Sequence, residues 1–343
     1  MQGACLGGLR TFTATSAVGL AYMFEPYLRT GTLRLPIVMG IANREITSPM
    51  CIWGGQQDSM TIRDAGWMQI YVEDNQEILD TVIMAYRLAE DRRVCLPINV
   101  CYDGFFLSHL VEPVCIPGQS RVDSFLPTFQ PHVTLNSADV FTLDPLTPSD
   151  QVTRYRREHT EAMRRALAVL EEIDAEFGAT FGRCYGGPLD TFMADDADVV
   201  LITIGSATGT ARVAVKRARA LGHKVGLIKL RSLRPFPAAA LLGLMRAFKA
   251  VGVLERSVSF GWASGCVHAE LRTAMAGDGN LPPVLSFIGG LGGADITLQH
   301  IETVLDALLR AASGEEEPLV TWLDLDPPRP ASGVIAAAAR ANK

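Results

Sequence analysis

Leu35-Pro-Ile-Val-Met-Gly-Ile-Ala42, running on into Asn43-Arg-Glu-Ile-Thr-Ser-Pro49, decides the fold. Eight residues without a charge, too short for a membrane span and bounded by a Pro-containing loop, read as a strand that is apolar on both faces. Such strands belong to parallel sheets covered by helices on either side. Upstream, Arg10 to Ser16 (RTFTATS) reads as a second strand ending in a small polar turn, with an apolar helical pattern from Gly19 to Leu28. Downstream, a helix is expected from Asp74 or Asn75, with Ile78, Leu79, Val82, Ile83 and Tyr86 on one stripe. Another buried strand, Cys95 to Asp103, follows it. Strands alternating with helices specify an α/β layered domain with a mainly parallel sheet.

A proline-rich stretch from Phe125 to Pro148 predicts a linker. A long helix is expected after it, from about Asp150 to Phe177, with Met163, Ala166, Leu167, Leu170, Ile173 and Phe177 in phase. Its charges oppose the helix dipole, with Arg154, Arg156 and Arg157 near the start and Glu171, Glu172, Asp174 and Glu176 near the end. Packing, rather than intrinsic propensity, must therefore hold it. From Ala197 a regular rhythm of strands and helices predicts a doubly wound domain, through DVVLITIG, HKVGLIKL, AVGVLE and PVLSFIGG to a helix from Leu298 to Ala311. The tail after Pro327, rich in Pro and then Ala, is expected to fray.

The chain's 343 residues suffice for about two domains, and 48% apolar content suits a globular core. A formal charge of −6 gives no attraction for nucleic acid or anionic membrane. The sequence shows no apolar run long enough to span a membrane and no secretory pattern near Met1, so a cytoplasmic location is expected. Seven scattered cysteines without a CxxC pair do not make a disulfide framework or a closed metal site.

Four constellations bear on chemistry. Gly205-Ser-Ala-Thr-Gly-Thr210 lies between a strand and a helix, where backbone N–H groups can cradle phosphate, yet it lacks P-loop and dinucleotide spacing. A tight turn without ligand is the favoured reading. Gly289-Gly-Leu-Gly-Gly293 reads as a packed turn into the last helix, capped by Asp295 or Thr297. Cys101, Asp103 and His109 cluster at a strand end as nucleophile, orienter and base would, but without a nucleophile elbow the ordinary structural reading is preferred. Arg44 stands at the carboxyl end of a parallel strand, where open α/β sheets bind ligands, and a fixed guanidinium there can hold a carboxylate. A surface ion pair with Glu45 or Asp58 is the alternative from position alone.

Across these same residues the sequence resembles the alpha subunits of the 2-oxoacid:ferredoxin oxidoreductases, most closely the pyruvate:ferredoxin (pyruvate synthase) branch. The carrying stretches are RTFTATSAVGL, LPIVMGIANREITSP, IWGGQQDSMTIRDAGWMQIYVEDNQE, LPINVCYDGFFLSH, VDSFLP, GSATGTA, KVGLIKLRSLRPFP and GGLGGADIT, in order from about Gly3 to Leu305. The resemblance implies a truncated thiamine diphosphate-binding, pyrimidine-type parallel-sheet domain over residues 1–124. A linker and long helix over 125–194, a transketolase C-terminal-like doubly wound domain over 195–320 and a tail over 321–343 would follow. It implies that thiamine diphosphate is shared with a beta subunit, while magnesium and iron–sulfur clusters sit on beta, gamma and delta partners that also meet ferredoxin and coenzyme A. By the same resemblance, Arg44 matches the arginine that holds the 2-oxoacid carboxylate, and Thr15 with Ser16 match the turn lining the cofactor cleft.

Two departures are expected to matter. The family's glutamate that activates the thiamine lies in a segment preceding the first residues here, so no catalytic acid is assigned to this chain, and Glu25 does not match it. The first domain is accordingly expected to leave Leu35 to Ala42 short of a neighbour and to need partners. Gly55-Gln56 replaces an Asp-His pair common in relatives. The implied function is a subunit of an enzyme that oxidatively decarboxylates pyruvate or a related 2-oxoacid to acyl-CoA, or runs the reverse. A non-catalytic structural or assembly subunit is the alternative.

Overall fold

The computed structural model describes residues 1–325 apart from Ser48, Asp139, Phe141 and Asn280, so the expectation of a frayed tail after Pro327 falls outside the described residues. The chain opens with α1 (Gln2–Leu6) and β1 (Phe12–Thr15), then α2 (Val18–Tyr22) and α3 (Phe24–Thr32), β2 (Val38–Asn43) and the short α4 (Gln57–Thr61). Next come β3 (Met68–Tyr71), α5 (Asn75–Glu90), β4 (Ile98–Asp103), α6 (Gln119–Phe125) and the long α7 (Ser149–Phe181). The remainder is β5 (Leu189–Phe192), β6 (Val199–Thr203), α8 (Ala207–Ala220), β7 (Val225–Leu230), β8 (Ser232–Arg234), α9 (Ala238–Met245), β9 (Ala250–Glu255), α10 (Cys266–Met275), β10 (Val284–Ile288), α11 (Leu298–Ala312) and β11 (Val320–Trp322).

Two sheets result. The first has the order β1-β2-β4-β3-β8, parallel except for β8; the second has the order β11-β10-β9-β6-β7-β5, parallel except for β5. The strand apolar on both faces is β2, and it runs between β1 and β4. The expectation that this strand lacks a neighbour is therefore corrected. The open edge falls on β1, where Phe12 is 45% exposed. The single helix expected over Gly19 to Leu28 is also corrected: it is two helices broken at Met23. Pro26 has no N–H to give the preceding turn, and the break puts it in the first turn of α3, where none is needed.

α7 is held by packing, as its charge order requires. Ala162, Ala166, Val169, Leu170, Ile173 and Phe177 are buried in one cluster with α5 and the first sheet, and Phe125 at the head of the linker packs edge-on to Phe177 at 5.3 Å. Asp74 caps α5 by accepting the Glu77 N–H at 2.8 Å, and Thr297, rather than Asp295, caps α11 in a reciprocal box with His300. Among the described residues, no helix is long and apolar enough to cross a membrane.

The two sheets are not separable along the sequence. A hydrophobic cluster runs from Leu35, Trp67 and Tyr71 to Ile202, Val253 and Leu271. β8 leaves the second unit to pair with β3. Beside it lies a buried ionic knot. Glu77 on α5 accepts from Arg231 Nε at 2.7 Å and from Lys229 Nζ at 2.5 Å, while Arg231 also donates to the carbonyl of Gly187 and to Thr81 Oγ1. Burial alone would raise the Glu77 carboxyl, but the two cations outweigh it and hold its pKa below the ordinary value. Removing one partner of such a group strands the others in a dry interior. Glu77→Ala is expected to cost about 3–5 kcal/mol of unfolding free energy in a urea titration, whereas the exposed Glu158→Ala, whose i,i+4 partner is Arg154, should leave the transition nearly unmoved.

Candidate active site

Parallel pairing brings the carboxyl ends of β1, β2 and β4 side by side, with Thr15 opposite Ile41 and Asn43 opposite Asp103. The residues leaving those ends are Ser16-Ala17, Arg44-Glu45 and Gly104-Phe105. At the first end, Ser16 Oγ donates to the carbonyl of Ala42 at 2.8 Å, and the Gly19 N–H donates to the carbonyl of Ser16 at 2.9 Å. These bonds close a tight turn. Ala17 stands in it at φ +46°, ψ −118°, close to the first central position of a type II′ turn, where glycine is usual. Gly19 is required because a Cβ there would strike Thr15 Oγ1. The half-buried Thr15 makes no side-chain hydrogen bond among the described residues.

Arg44 is half-buried and directed by its own loop. Its Nε donates to the carbonyl of Ile52 at 2.7 Å, and its guanidinium carbon lies 5.3 Å from the Phe105 ring centre. Its two terminal nitrogens have no protein partner among the described residues. Neither ion pair conceived from sequence forms: Asp58 meets only the backbone N–H of Arg44, and Glu45 turns away to accept the Gly292 N–H at 3.2 Å. Phe105 adopts φ +64°, unusual for a bulky side chain. Its N–H donates to Ser108 Oγ, and its ring stacks on His109 at 4.4 Å.

Asp58, on α4, ties the ends together. Its Oδ2 accepts from the N–H of Ala17 at 2.8 Å and of Arg44 at 3.1 Å; its Oδ1 accepts from Asn43 Nδ2 at 2.9 Å and from its neighbour Ser59 N–H at 2.8 Å. Its side chain is wholly buried. Burial pushes its carboxyl up to about 6, against the downward pull of those four hydrogen bonds. Sequence reading named Asp58 only as an ion-pair partner, because nothing local marks a carboxylate whose donors lie 14 and 41 residues away.

The imagined Cys101, Asp103 and His109 trio does not assemble. Cys101 is fully buried, its thiol pushed well up by desolvation and then by Asp58, and His109 faces Phe105 and Ser108. Asp103 accepts from Gln56 Nε2 at 2.9 Å and from the Ser206 N–H at 2.9 Å. Thus an N–H of the Gly205–Thr210 turn, which a phosphate would need, is taken by a carboxylate of this chain, and the turn is a tight one as expected. The Gly289–Gly293 loop is likewise a packing device, since a Cβ on Gly293 would come within 2.7 Å of Trp53 Cβ. Glu25 is exposed and pairs with Arg29 at 3.0 Å.

A signature described as pyruvate flavodoxin/ferredoxin oxidoreductase, thiamine diphosphate-binding, matches residues 1–175. A second, described as pyruvate:ferredoxin oxidoreductase core domain II, matches residues 197–301. The chain belongs to this family. It is similar to the alpha subunit of NADH-dependent phenylglyoxylate dehydrogenase from Aromatoleum evansii, at 43% identity over 94% of this chain and 80% of that one. It is equally similar to the pyruvate synthase subunit PorA of Methanothermobacter thermautotrophicus, at 43% identity over 94% of this chain and 82% of that one. Among solved structures, 2-oxoglutarate:ferredoxin oxidoreductase from Magnetococcus marinus shares the fold, with a TM-score of 0.61 at 21% identity, covering 88% of this chain and 54% of that one. The expected fold class therefore stands: a thiamine-binding-type parallel-sheet domain followed by the doubly wound domain of the same oxidoreductases. Family members are oxidoreductases acting on 2-oxoacids, and both named relatives are subunits of larger enzymes.

The buried Asp58 yields a pH signature. A folded-state value of about 6 against an ordinary 3.8 means that, between those limits, the folded chain keeps a proton that the unfolded chain has released. The stability that comes from this proton is complete below pH 3.8 and is lost as pH rises through 6. Asp58→Asn cannot titrate, and urea unfolding of it should show a stability profile flatter than wild type from pH 4.5 to 7, by about 2 kcal/mol.

Proposed function

We propose that this chain supplies the 2-oxoacid clamp and one wall of a thiamine diphosphate cleft, in a multi-subunit enzyme that oxidatively decarboxylates pyruvate or a related 2-oxoacid to an acyl-CoA, or runs the reverse. The observation that carries the reading is Arg44. Among the described residues its terminal nitrogens have no partner at the mouth of three parallel strand ends, while its Nε and backbone N–H are fixed by Ile52 and Asp58. A guanidinium held at one nitrogen and open at two is suited to a bidentate carboxylate, and aromatic Phe105 beneath it limits its swing.

The residues beside the clamp fit the cofactor that the family signature names. Thr15 offers an unengaged hydroxyl, and the turn through Ser16 and Ala17 offers backbone in a fixed shape, both suited to one edge of an aminopyrimidine. When bound, thiamine diphosphate supplies the carbanion chemistry by which a 2-oxoacid loses carbon dioxide. This chain's part is to orient the carboxylate and hold the cofactor's flank. Among the described residues it supplies no free acid there: Asp58 and Asp103 are taken up by internal donors, and Glu45 is engaged by the Gly292 N–H. The acid that activates the cofactor then comes from outside these residues, and beta, gamma and delta partners carry the magnesium site, the iron–sulfur clusters, and the contacts to coenzyme A and to ferredoxin or another acceptor. A cytoplasmic setting suits such an assembly.

Arg44→Ala in the assembled enzyme should lower kcat/KM for the 2-oxoacid by about 30- to 1000-fold, the worth of a lost charged, bidentate pair, and leave thiamine diphosphate affinity within about threefold. Arg44→Lys should recover only part of it, because an ammonium does not reproduce the planar fork. Unchanged kinetics in Arg44→Ala would sink the assignment.

A further inference from the structure

The turn that carries Thr15 and Ser16 and the loop that carries Arg44 belong to different strands, and neither is stable in its observed shape on its own account. Ala17 holds a backbone conformation that L side chains rarely adopt, and such a conformation persists only where its surroundings over-determine it. Arg44 opens a long loop with no ladder of its own, closed by an isolated bridge to Gly54 and a few hydrogen bonds such as Glu45 N–H to the Trp53 carbonyl. Both loops present an N–H to the same atom, Asp58 Oδ2, at 2.8 and 3.1 Å. The other oxygen is anchored by Asn43 and Ser59, and Asn43 extends the anchor through Ser59 Oγ to the Tyr71 hydroxyl on β3.

We propose that Asp58 is the positioning residue of this site, a single buried carboxylate that fixes the spacing between the thiamine-lining turn and the substrate-clamping arginine. The inference rests on the reading of Arg44 and of the Thr15–Ser16 turn given above. Asp58 touches neither substrate nor cofactor; it acts through the backbone of Ala17 and Arg44. An amide at this place has one acceptor oxygen instead of two, so it can serve one pair of donors and must turn an NH2 toward the other.

The test uses the assembled enzyme with Asp58→Asn, the double variant Asp58→Asn with Ala17→Gly, and Thr61→Val as a control for loosening α4. Thiamine diphosphate affinity is measured by calorimetry on the cofactor-free complex, and KM and kcat are measured with the 2-oxoacid. In Asp58→Asn both the cofactor dissociation constant and KM should rise, each about tenfold or more, with kcat moving less. Glycine at 17 adopts the turn unaided, so the double variant should return the cofactor dissociation constant to within about threefold of wild type while KM stays raised. Thr61→Val should move neither.

An Asp58→Asn enzyme that changes only one of the two constants, or neither, would overturn the proposal, as would a double variant that fails to recover cofactor binding. Failure of both variants to assemble would make Asp58 a folding residue and overturn it as well. Arg44→Ala, measured alongside, keeps the underlying reading separate: if it leaves KM unchanged, the clamp is misassigned, whatever Asp58 does to the cofactor.

Discussion

A peptide N–H that leaves water without finding an acceptor costs about 1–3 kcal/mol, and the loops at the carboxyl ends of parallel strands have no ladder to supply one. This chain meets that constraint with carboxylates. Asp58 accepts from Ala17, Arg44 and Ser59; Asp103 from Ser206; Asp174 from Tyr185 and Gly186; and Glu255 from Val267 and His268. Each pins a loop to an element distant in sequence or starts a helix. Glu255 at the end of β9 holds the opening turn of α10 so closely that Gly265 has no room for a Cβ. The working face of both sheets depends on these acceptors, and among the described residues the terminal fork of Arg44 on that face has no protein partner.

The same device explains why two glycine-rich loops, each placed where a helix or strand end can bind an anion, serve as internal joints. A Cβ on Gly205 would lie 2.9 Å from Asp103 Oδ2 and 2.7 Å from Gln56 Nε2, so the second domain's turn is closed over by the first domain's side chains. At the other loop, Gly290 donates to Asp324 and Gly292 to Glu45. Gln56 is wholly buried and bonded to Asp103. Gly55 packs against Glu45. Gln56 thus joins the two domains at the end of the loop that begins with Arg44.

How much was legible in the sequence follows from the range of each interaction. β2, β4, β6, β7, β9 and β10 are continuous apolar runs, and Arg44 directly follows one of them, so pattern alone located them and suggested the role of the arginine. β8 has three residues and a polar sequence; its strand state exists only because β3 offers an edge, and no local pattern encodes that. The short α4 was missed for a similar reason, since Gln57, Asp58 and Ser59 are polar residues buried by partners elsewhere in the chain. The break at Met23 was legible in principle from Pro26, but the apolar period on either side masked it. The roles of Thr15 and Ser16 came from resemblance to a family rather than from their chemistry, which a Thr-Ser pair shares with any turn.

The route of β8 has a consequence for how the molecule is made. Arg231, next to β8, is 154 residues beyond Glu77, its partner on the first domain. On a ribosome that adds about 5–20 residues per second, the helix bearing Glu77 emerges roughly ten to thirty seconds before the cations that neutralise it and the strand that closes its sheet. During that interval the first sheet presents an unpaired β3 edge and a carboxylate that has no reason to leave water. The contacts that close the first sheet and neutralise Glu77 therefore become available only when the start of the second domain has been made. Vectorial synthesis thus supplies the last edge of the first sheet only after most of both domains' strands have been added.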